Sequence, residues 1–421
     1  MARKGARPVY MIGGGITRFV KRRPEEDFRW MVREAFENAL ADVPELTREQ
    51  IDGSVCSYFS DHFAGQLMAG AMVQDYLGLC PKPSRRVEGG GATGGLCFQA
   101  AWEAVASGRM EVCAGYGFET MSRVSTWKGN ELIALASDAS FDFPLGGFYT
   151  GYYAMMVTRH MHEFGTTERQ LALVSVKAHD NAAHNPYAQK RNPVTVDQVL
   201  ASPYVAHPLK MLDICAMSDG AACVILASEE AAQRFSNRPV RVSGVGCGTD
   251  TMRMADRPHG RVPLFPWESE AEYAGLDFPG VHSCRAGRVA ALEAYAMAGI
   301  SDPIRDLSLV ELHDAFTSSE IQTYEDLGLC KYGEGGTFIE AGHSTRTGKM
   351  PVNPSGGLLA CGHPIGATGL MQAVFAYWQL QNRIGERLGN DTLQIPNARR
   401  AAVHSHAGTG TYVTVSILEV A

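Results

Sequence analysis

Apolar and polar positions alternate along this chain in the pattern of repeated strand–helix units. Residues 9–15 form an apolar run that ends in a glycine turn, which predicts a buried strand. Residues 26–41 carry apolar side chains at helical spacing, and the two patterns recur as a predicted strand at 51–58 and a predicted helix at 65–79. Strands that alternate with helices indicate an α/β fold with mostly parallel sheets.

The second half of the chain repeats features of the first. Pro-Val-Arg-Val-Ser-Gly-Val-Gly at 239–246 resembles Pro-Val-Tyr-Met-Ile-Gly-Gly-Gly at 8–15, and the Leu-Gly-Leu-Cys ending of residues 74–80 recurs at 324–330. Two copies of one strand–helix order indicate a duplicated fold.

A boundary near residue 235 divides the chain into two predicted halves, residues 1–235 and residues 236–421. In the first half the regular pattern loosens between about 120 and 210, where aromatic residues, glycines and histidines accumulate. An excursion of this size indicates an insertion that covers a substrate.

Composition narrows the functional classes. The net charge of −7 argues against nucleic-acid binding, and no run of 18 apolar residues predicts a membrane span. The ten cysteines are dispersed without a Cys-x-x-Cys pair, and the spacing of His160 and His162 does not bring two ligands to one helix face, so no metal site is expected. Dispersed cysteines are usually reduced core residues, which favours a cytoplasmic enzyme.

Three histidines occupy positions suited to proton transfer. His313 follows a predicted buried strand, and His363 lies in the glycine-rich loop 353–369 in front of a predicted helix. His404 ends another strand and precedes a Gly-x-Gly turn at Gly408 and Gly410. One such histidine is usually an inert core residue, but three together predict an acid–base site, because imidazole exchanges protons near neutral pH.

A second glycine turn lies between a predicted strand and a predicted helix at residues 85–108. Many enzymes place a nucleophile at the tip of such an elbow, where the helix N-terminus favours negative charge. Here the tip consists of glycines, with Thr93 the only functional side chain before Cys97.

These motifs resemble the thiolase superfamily, in its sterol-carrier-type and archaeal branch. The resemblance rests on Glu-Leu-His-Asp-Ala-Phe at 311–316, Asn-Pro-Ser-Gly-Gly at 353–357, Gly-His-Pro-Ile-Gly-Ala-Thr-Gly at 362–369 and Ser-Asp-Gly-Ala-Ala at 218–222. It implies a duplicated, five-layered α-β-α-β-α fold with an inserted loop domain. It also implies an acyltransferase that uses CoA as a substrate, needs no permanently bound cofactor and forms a homodimer.

The resemblance also implies roles for individual residues. His363 would activate the thiol nucleophile and contribute to an oxyanion hole, and His313 would orient a water or the thioester oxygen. His404 would move the proton on the α-carbon of the substrate. Gly408 and Gly410 would bring backbone close to the thioester. The chemistry agrees, because a carbon–carbon bond next to a thioester is made or broken through an enolate, which needs oriented donors and a proton shuttle.

The chain departs from the family pattern at the expected nucleophile. Gly91 stands where the family carries its catalytic cysteine, and glycine cannot form an acyl-enzyme. Ala315 stands where some relatives keep an acid/base cysteine, and His406 where relatives carry a small apolar residue.

Three interpretations stay open. The first is CoA-dependent cleavage of a 3-oxoacyl-CoA, with the CoA thiolate attacking directly or with another thiol, preferably Cys361, as nucleophile. The second is a retro-aldolase that acts on a β-hydroxyacyl-CoA and needs no nucleophile. The third is a non-catalytic subunit that binds acyl-CoA as a scaffold.

Members of this branch often work with a small zinc-ribbon/OB-fold protein, so the resemblance implies a possible partner subunit of that kind. Two-subunit members include enzymes for bulky aromatic acyl groups, and the aromatic-rich insertion at about 120–210 would suit a bulky acyl group.

Overall fold

A computed structural model describes residues 6–421; the first five positions of the predicted half 1–235 lie outside the described residues. The strands are β1 (Val9–Ile16), β2 (Gly53–Ser57), β3 (Ser84–Val87), β4 (Val112–Thr120), β5 (Tyr204–Ala206), β6 (Leu209–Lys210), β7 (Asp219–Ser228), β8 (Val240–Thr249), β9 (Leu309–Glu311), β10 (Arg400–Ala407) and β11 (Tyr412–Val420).

The α-helices lie between these strands and inside the insertion. They are α1 (Phe28–Leu40), α2 (Asp61–Ala64), α3 (Ala69–Tyr76), α4 (Thr93–Ala106), α5 (Thr126–Ala134), α6 (Tyr149–Phe164), α7 (Glu168–Ala183), α8 (Val196–Leu200), α9 (Glu229–Phe235), α10 (Pro279–His282), α11 (Arg285–Ala298), α12 (Pro303–Asp306), α13 (Thr317–Asp326), α14 (Gly335–Glu340), α15 (Ile365–Leu380) and α16 (Ile384–Leu388). Within residues 6–421 no helix has the length and apolar character needed to cross a membrane.

Nine strands form one mixed sheet in the order β3-β2-β4-β7-β1-β8-β11-β10-β9. The order repeats on the two sides of the β1–β8 pair. Counted outward from this pair, the first half has the order β1, β7, β4, β2, and the second half has the corresponding order β8, β11, β10, β9. The predicted duplication is therefore confirmed. The last helix before β8 ends at Phe235, and the division at that residue stays a prediction.

The expectation of mostly parallel sheets is wrong. Only the pairs β2–β3, β2–β4 and β9–β10 are parallel among the strands of the large sheet that the structure describes. The strand β7 follows the insertion and runs antiparallel to both of its neighbours, β1 and β4. The strands β10 and β11 are joined by a short turn, which forces an antiparallel hairpin.

The layers follow from the contacts of the helices. The helix α1 packs on β1, β4 and β7 from outside, and α11 packs on β8 and β11 from the other side. Between the two halves of the sheet, α4 and α15 pack on each other and contact both halves. These contacts make the predicted five-layered α-β-α-β-α fold, which is confirmed.

The two central helices approach each other through glycine. A side-chain carbon built on Gly94 would lie 2.5 Å from the backbone nitrogen of Gly369, so neither position has room for a larger residue. This close approach sets the glycine elbow before α4 beside the histidine loop before α15. The insertion between β4 and β7 contains α5 to α8 and the two-stranded β5–β6 sheet, and it covers this region.

Candidate active site

A cavity of about 130 Å³ lies where the elbow, the histidine loop and the insertion meet. Its walls are mainly apolar, with Phe59, Phe148 and Phe316 among them. Its polar lining includes the imidazoles of His313, His363 and His406. A mainly apolar cavity with a few converging polar groups is the usual form of a small-molecule site.

The loop that carries His363 is fixed by buried polar contacts. Asn353 has a positive φ of 51°, and its Oδ1 accepts a 2.7 Å hydrogen bond from the backbone N–H of Leu312. Ser355 donates from its hydroxyl and its backbone N–H to the carboxyl of Glu311 at 2.6 and 3.0 Å. Burial raises the pKa of Glu311 to about 8. The start of the loop is therefore hydrogen-bonded to the end of β9 and to the residue that follows it.

The contacts of His363 define which of its nitrogens carries the proton. The hydroxyl of Thr368 donates to the carbonyl of Pro364 at 2.9 Å, and a threonine has only one hydroxyl hydrogen. The 2.8 Å contact between Thr368 Oγ1 and His363 Nδ1 is thus donated by the imidazole. A neutral His363 consequently keeps a lone pair on Nε2, ready to accept a proton at the cavity wall.

His313 lies between two other imidazoles. Its ring centroid is 4.9 Å from that of His363 in an edge-on arrangement and 4.4 Å from that of His406. The backbone N–H of His313 donates to His404 Nδ1 at 3.4 Å. Its own Nδ1 is buried without a hydrogen-bond partner among residues 6–421. His313 and His363 are thus brought together as expected from the sequence.

The structure places His404 differently from the expectation. His404 and His406 lie on the same face of β10, but His406 is nearer the end of the strand and lines the cavity. His404 lies one layer deeper, with its ring 5.4 Å from that of His406, and is not part of the cavity wall. Its contact with the His313 backbone suits a residue that positions a neighbour.

Tyr153 is a site residue that sequence reasoning missed. It comes from α6 of the insertion, and its hydroxyl lies 2.6 Å from Nε2 of His406 and donates to the carbonyl of Gly408 at 2.7 Å. Its ring stacks on Phe316 with centroids 4.2 Å apart. The crowding of aromatic residues between 120 and 210 was the available signal, but it did not single out one tyrosine.

Gly91 lies at the centre of the cluster, where the elbow meets β10. A side-chain carbon at this position would lie 3.1 Å from Cε1 and 3.2 Å from Nε2 of His313. It would also lie less than 3.0 Å from the carbonyl oxygen of His406. The position that the resemblance assigns to a nucleophile is therefore closed to any side chain in the present backbone arrangement.

The two predicted C-terminal glycines take different places. Gly408 lines the cavity with a φ of 61°, beside Tyr153. Gly410 has a φ of 83° and packs against Cys284, outside the cavity wall. Gly410 thus shapes the turn between β10 and β11 that holds Gly408.

The thiols near the site differ in their access to the cavity. Cys361 is fully buried, receives a contact from Asn185 Nδ2 at 3.6 Å and is not part of the cavity wall. Burial raises its pKa well above the ordinary thiol value. Cys215, which the sequence did not single out, does line the cavity, and burial raises its pKa to about 12. Neither environment favours a thiolate.

Burial keeps the imidazoles neutral. It lowers the pKa of His406 to about 3, and burial together with the neighbouring His406 lowers the pKa of His363 to about 3. Burial and the adjacent imidazoles also lower the pKa values of His313 and His404 well below the ordinary value. The imidazoles of the cluster are therefore unprotonated near neutral pH.

No group of three or more potential metal ligands occurs within the part of the chain that the structure describes.

Two family descriptions match the chain. "Thiolase, N-terminal domain" covers residues 9–230, and "Thiolase C-terminal domain-like" covers residues 278–420. The fold and the histidine site thus define an acyltransferase-type protein, and the chain belongs to the thiolase family.

The similar curated proteins lie in the archaeal and sterol-carrier branches. The acetyl-CoA acetyltransferase of Methanothermobacter thermautotrophicus is 37% identical over 98% of this chain and 99% of its own length. Human sterol carrier protein 2 is 32% identical over 98% of this chain and 72% of its own length. Benzoylsuccinyl-CoA thiolase subunit BbsB of Thauera aromatica is 33% identical, with 90% of each chain covered.

Solved structures agree with this assignment. The "Ltp2-ChsH2(DUF35) aldolase" structure superposes with a TM-score of 0.80 at 25% identity, covering 99% of this chain and 98% of the other. Human mitochondrial 3-ketoacyl-CoA thiolase superposes with a TM-score of 0.70 at 16% identity, covering 99% of both chains, which shows the shared fold.

Proposed function

We propose that this protein cleaves or forms a bulky 3-oxoacyl-CoA in a CoA-dependent reaction that proceeds without a cysteine acyl-enzyme. The observation that carries the proposal is the lone pair of His363 Nε2 in a cavity wall that also contains Gly91, where the family's nucleophilic side chain is missing. An incoming CoA thiol is the group that such a base would activate.

In the proposed cleavage the CoA thiol gives its proton to His363 Nε2, and the thiolate attacks the 3-oxo carbon. The bond between C2 and C3 then breaks, and its electron pair moves into the thioester as an enolate. C2 takes up one proton, so the proton lost by the thiol is balanced. His313 lies between the other two imidazoles and would orient the thioester oxygen where negative charge develops.

His404 and Gly410 have supporting parts in this proposal. His404 acts through His313, because its Nδ1 accepts the His313 backbone N–H. Gly410 keeps the turn that brings Gly408 to the cavity. Gly408 brings backbone to the reacting thioester, and Gly91 lets the elbow approach His313 and β10 closely.

The size of the cavity supports a bulky acyl group. Its volume of about 130 Å³ is close to that of engineered apolar cavities of about 150 Å³ that bind benzene. The aromatic side chains Phe148 and Phe316 stand in its wall. A ring-sized acyl substituent therefore fits the wall chemistry and the volume. The relative BbsB is named as a benzoylsuccinyl-CoA thiolase subunit, which agrees with this proposal.

A retro-aldolase on a β-hydroxyacyl-CoA is the second candidate. The closed position at Gly91 favours it, because retro-aldol cleavage needs a base and an enolate site but no nucleophile. In this reaction His363 would take the proton of the β-hydroxyl instead of that of a thiol. The superposed structure titled an aldolase supports this alternative.

We also propose a homodimer that associates with a small zinc-ribbon/OB-fold partner and acts in the cytoplasm. The edge strand β3 is largely exposed, and an exposed edge strand can pair with a second copy. One relative is named as a subunit, and one superposed structure is the "Ltp2-ChsH2(DUF35) aldolase", which supports a partner. The free cysteines suit a reducing compartment.

Two aryl substrates separate the candidates. The purified protein is incubated with 3-oxo-3-phenylpropanoyl-CoA or with 3-hydroxy-3-phenylpropanoyl-CoA, each with and without added CoA, and the products are followed by liquid chromatography and mass spectrometry. Thiolysis requires CoA and yields benzoyl-CoA and acetyl-CoA from the first substrate. Retro-aldol cleavage yields benzaldehyde and acetyl-CoA from the second substrate without CoA.

Intact-protein mass spectrometry of the same mixtures tests the noncovalent mechanism. The expected result is turnover without an acyl adduct. A kinetically competent adduct on Cys361 or Cys215 would refute the absence of an acyl-enzyme. Binding of both thioesters without turnover of either would favour the scaffold interpretation instead.

A further inference from the structure

The hydrogen bonds of Tyr153 define the tautomer of His406. The tyrosine has one hydroxyl hydrogen, and a 2.7 Å approach to the carbonyl oxygen of Gly408 requires that hydrogen between the two oxygens. The 2.6 Å contact with His406 Nε2 must then be donated by the imidazole. His406 is thereby held with its proton on Nε2 and a lone pair on Nδ1.

This lone pair has no partner in the protein. Nδ1 of His406 is buried without a hydrogen bond among residues 6–421, although the same ring lines the cavity. A buried polar atom without a partner is costly, and at the wall of a cavity a bound molecule can provide the partner. A group on the bound substrate would supply the missing partner.

The surroundings of His406 keep it neutral and in place. Its ring contacts those of His313, His404 and Tyr153, and no carboxylate hydrogen-bonds to it among the described residues. The strand β10 holds its backbone in register with Val413 of β11. No carboxylate would therefore stabilise the protonated form of His406. A proton taken up by Nδ1 would be returned readily to the substrate or to solvent.

We propose that His406 is the catalytic residue that exchanges the α-carbon proton through Nδ1, and that Tyr153 is the positioning residue that holds His406 in the required tautomer through the Gly408 carbonyl. This inference deepens the proposed function and rests on it. It assigns to His406 the proton transfer that the family resemblance implies for His404.

The step balances without any further reactant. In the direction of enolate formation, the C–H bond at the α-carbon breaks and an N–H bond forms at Nδ1. The electron pair moves to the thioester oxygen, and the imidazolium is stabilised by the Tyr153 oxygen, which accepts the Nε2–H. The reverse transfer restores the neutral imidazole. Hydrogen at the α-carbon therefore exchanges with solvent even when no carbon–carbon bond is cleaved.

Exchange of α-hydrogens in heavy water tests His406 directly. Acetyl-CoA and 3-phenylpropanoyl-CoA serve as probes, and deuterium uptake is measured by mass spectrometry. His406→Gln should slow the exchange by about 10²–10⁴-fold, the usual contribution of a general base. Retention of wild-type exchange in His406→Gln would overturn the inference, as would loss of exchange only in His404→Gln.

Tyr153→Phe tests the positioning role and keeps the ring that stacks on Phe316. We expect a fall in kcat of roughly tenfold with little change in KM, because one hydrogen bond to the imidazole is lost. Long-range ¹H–¹⁵N spectra of histidine-labelled protein should show the proton of His406 on Nε2 in the wild type and a mixture of tautomers in Tyr153→Phe. An unchanged tautomer would overturn the positioning role.

Tyr152→Phe is the matched control. This neighbouring tyrosine of the same helix is buried, and its hydroxyl makes no hydrogen bond to the histidine cluster among residues 6–421. Its variant should match the wild type in both measurements. The tautomer of His406 is measured without substrate. The tautomer measurement can therefore refute the role of Tyr153 even when the wild-type protein cleaves the aryl-CoA substrates. Absence of cleavage with the expected tautomer present would instead refute the proposed function.

Discussion

Gly91→Ala is expected to disturb the histidine cluster although it adds a single methyl group. The added carbon would overlap the carbonyl oxygen of His406 and press on the ring of His313. The oxygen belongs to β10, whose pairing with β11 runs through His406 and Val413, so the strand cannot move at that residue alone. The strain must therefore be taken up by a shift of the elbow against the strand.

Overpacking of this kind costs about 1–3 kcal/mol, which corresponds to a fall in Tm of about 1–3 °C for a chain of 421 residues, because the entropy of unfolding grows by about 2.1 cal/mol/K with each residue. The catalytic effect should exceed the loss of stability. A misplacement of catalytic groups by about 1 Å can lower a rate by about 10²-fold, and the shift would separate His313 from His406. We therefore expect kcat to fall about 10²-fold at a temperature where the variant is still folded.

Thermal denaturation and steady-state kinetics on the aryl substrates measure the two effects. Gly151→Ala is the control, because a side-chain carbon at Gly151 of α6 would meet no atom within 4 Å. That variant should keep its activity and gain up to about 0.5–1 kcal/mol from the better helix propensity of alanine. If Gly91→Ala kept both the Tm and the kcat of the wild type, the steric closure of this position would be refuted.

Two further predictions concern His363. Thr368→Val removes the acceptor of its Nδ1–H and should lower kcat by roughly 10- to 100-fold with little change in KM, because an unsatisfied buried donor costs about 1–3 kcal/mol. Steady-state kinetics would contradict the tautomer assignment if kcat stayed at the wild-type value. A base acts when unprotonated, and burial lowers the pKa of His363 to about 3. kcat/KM should therefore stay level between about pH 7.5 and 5, and an inflection near pH 6.5 would show an ordinary, solvated histidine instead.

The features of the fold that local pattern encodes could be predicted from the sequence. The strand–helix alternation, the repeat of residues 8–15 at 239–246 and the glycine loops depend on neighbouring residues, and all have structural counterparts. The relative direction of the strands could not be predicted, because the apolar pattern of a strand does not depend on its direction in the sheet. The antiparallel course of β7 is decided by the long insertion that precedes it, whose path no local pattern describes.

The site divides in the same way. His313 and His363 could be predicted because each follows a strand or stands in a glycine loop beside a helix start, and both line the cavity. His404 and His406 are equivalent by local criteria, since both point to the same face of β10. The difference between them is that His406 is nearer the end of the strand and lines the cavity, where α6 brings Tyr153 to it from 253 positions away in the chain. Because the contact at that separation holds the tautomer of His406, the proposed proton shuttle depends on the insertion as much as on the motifs.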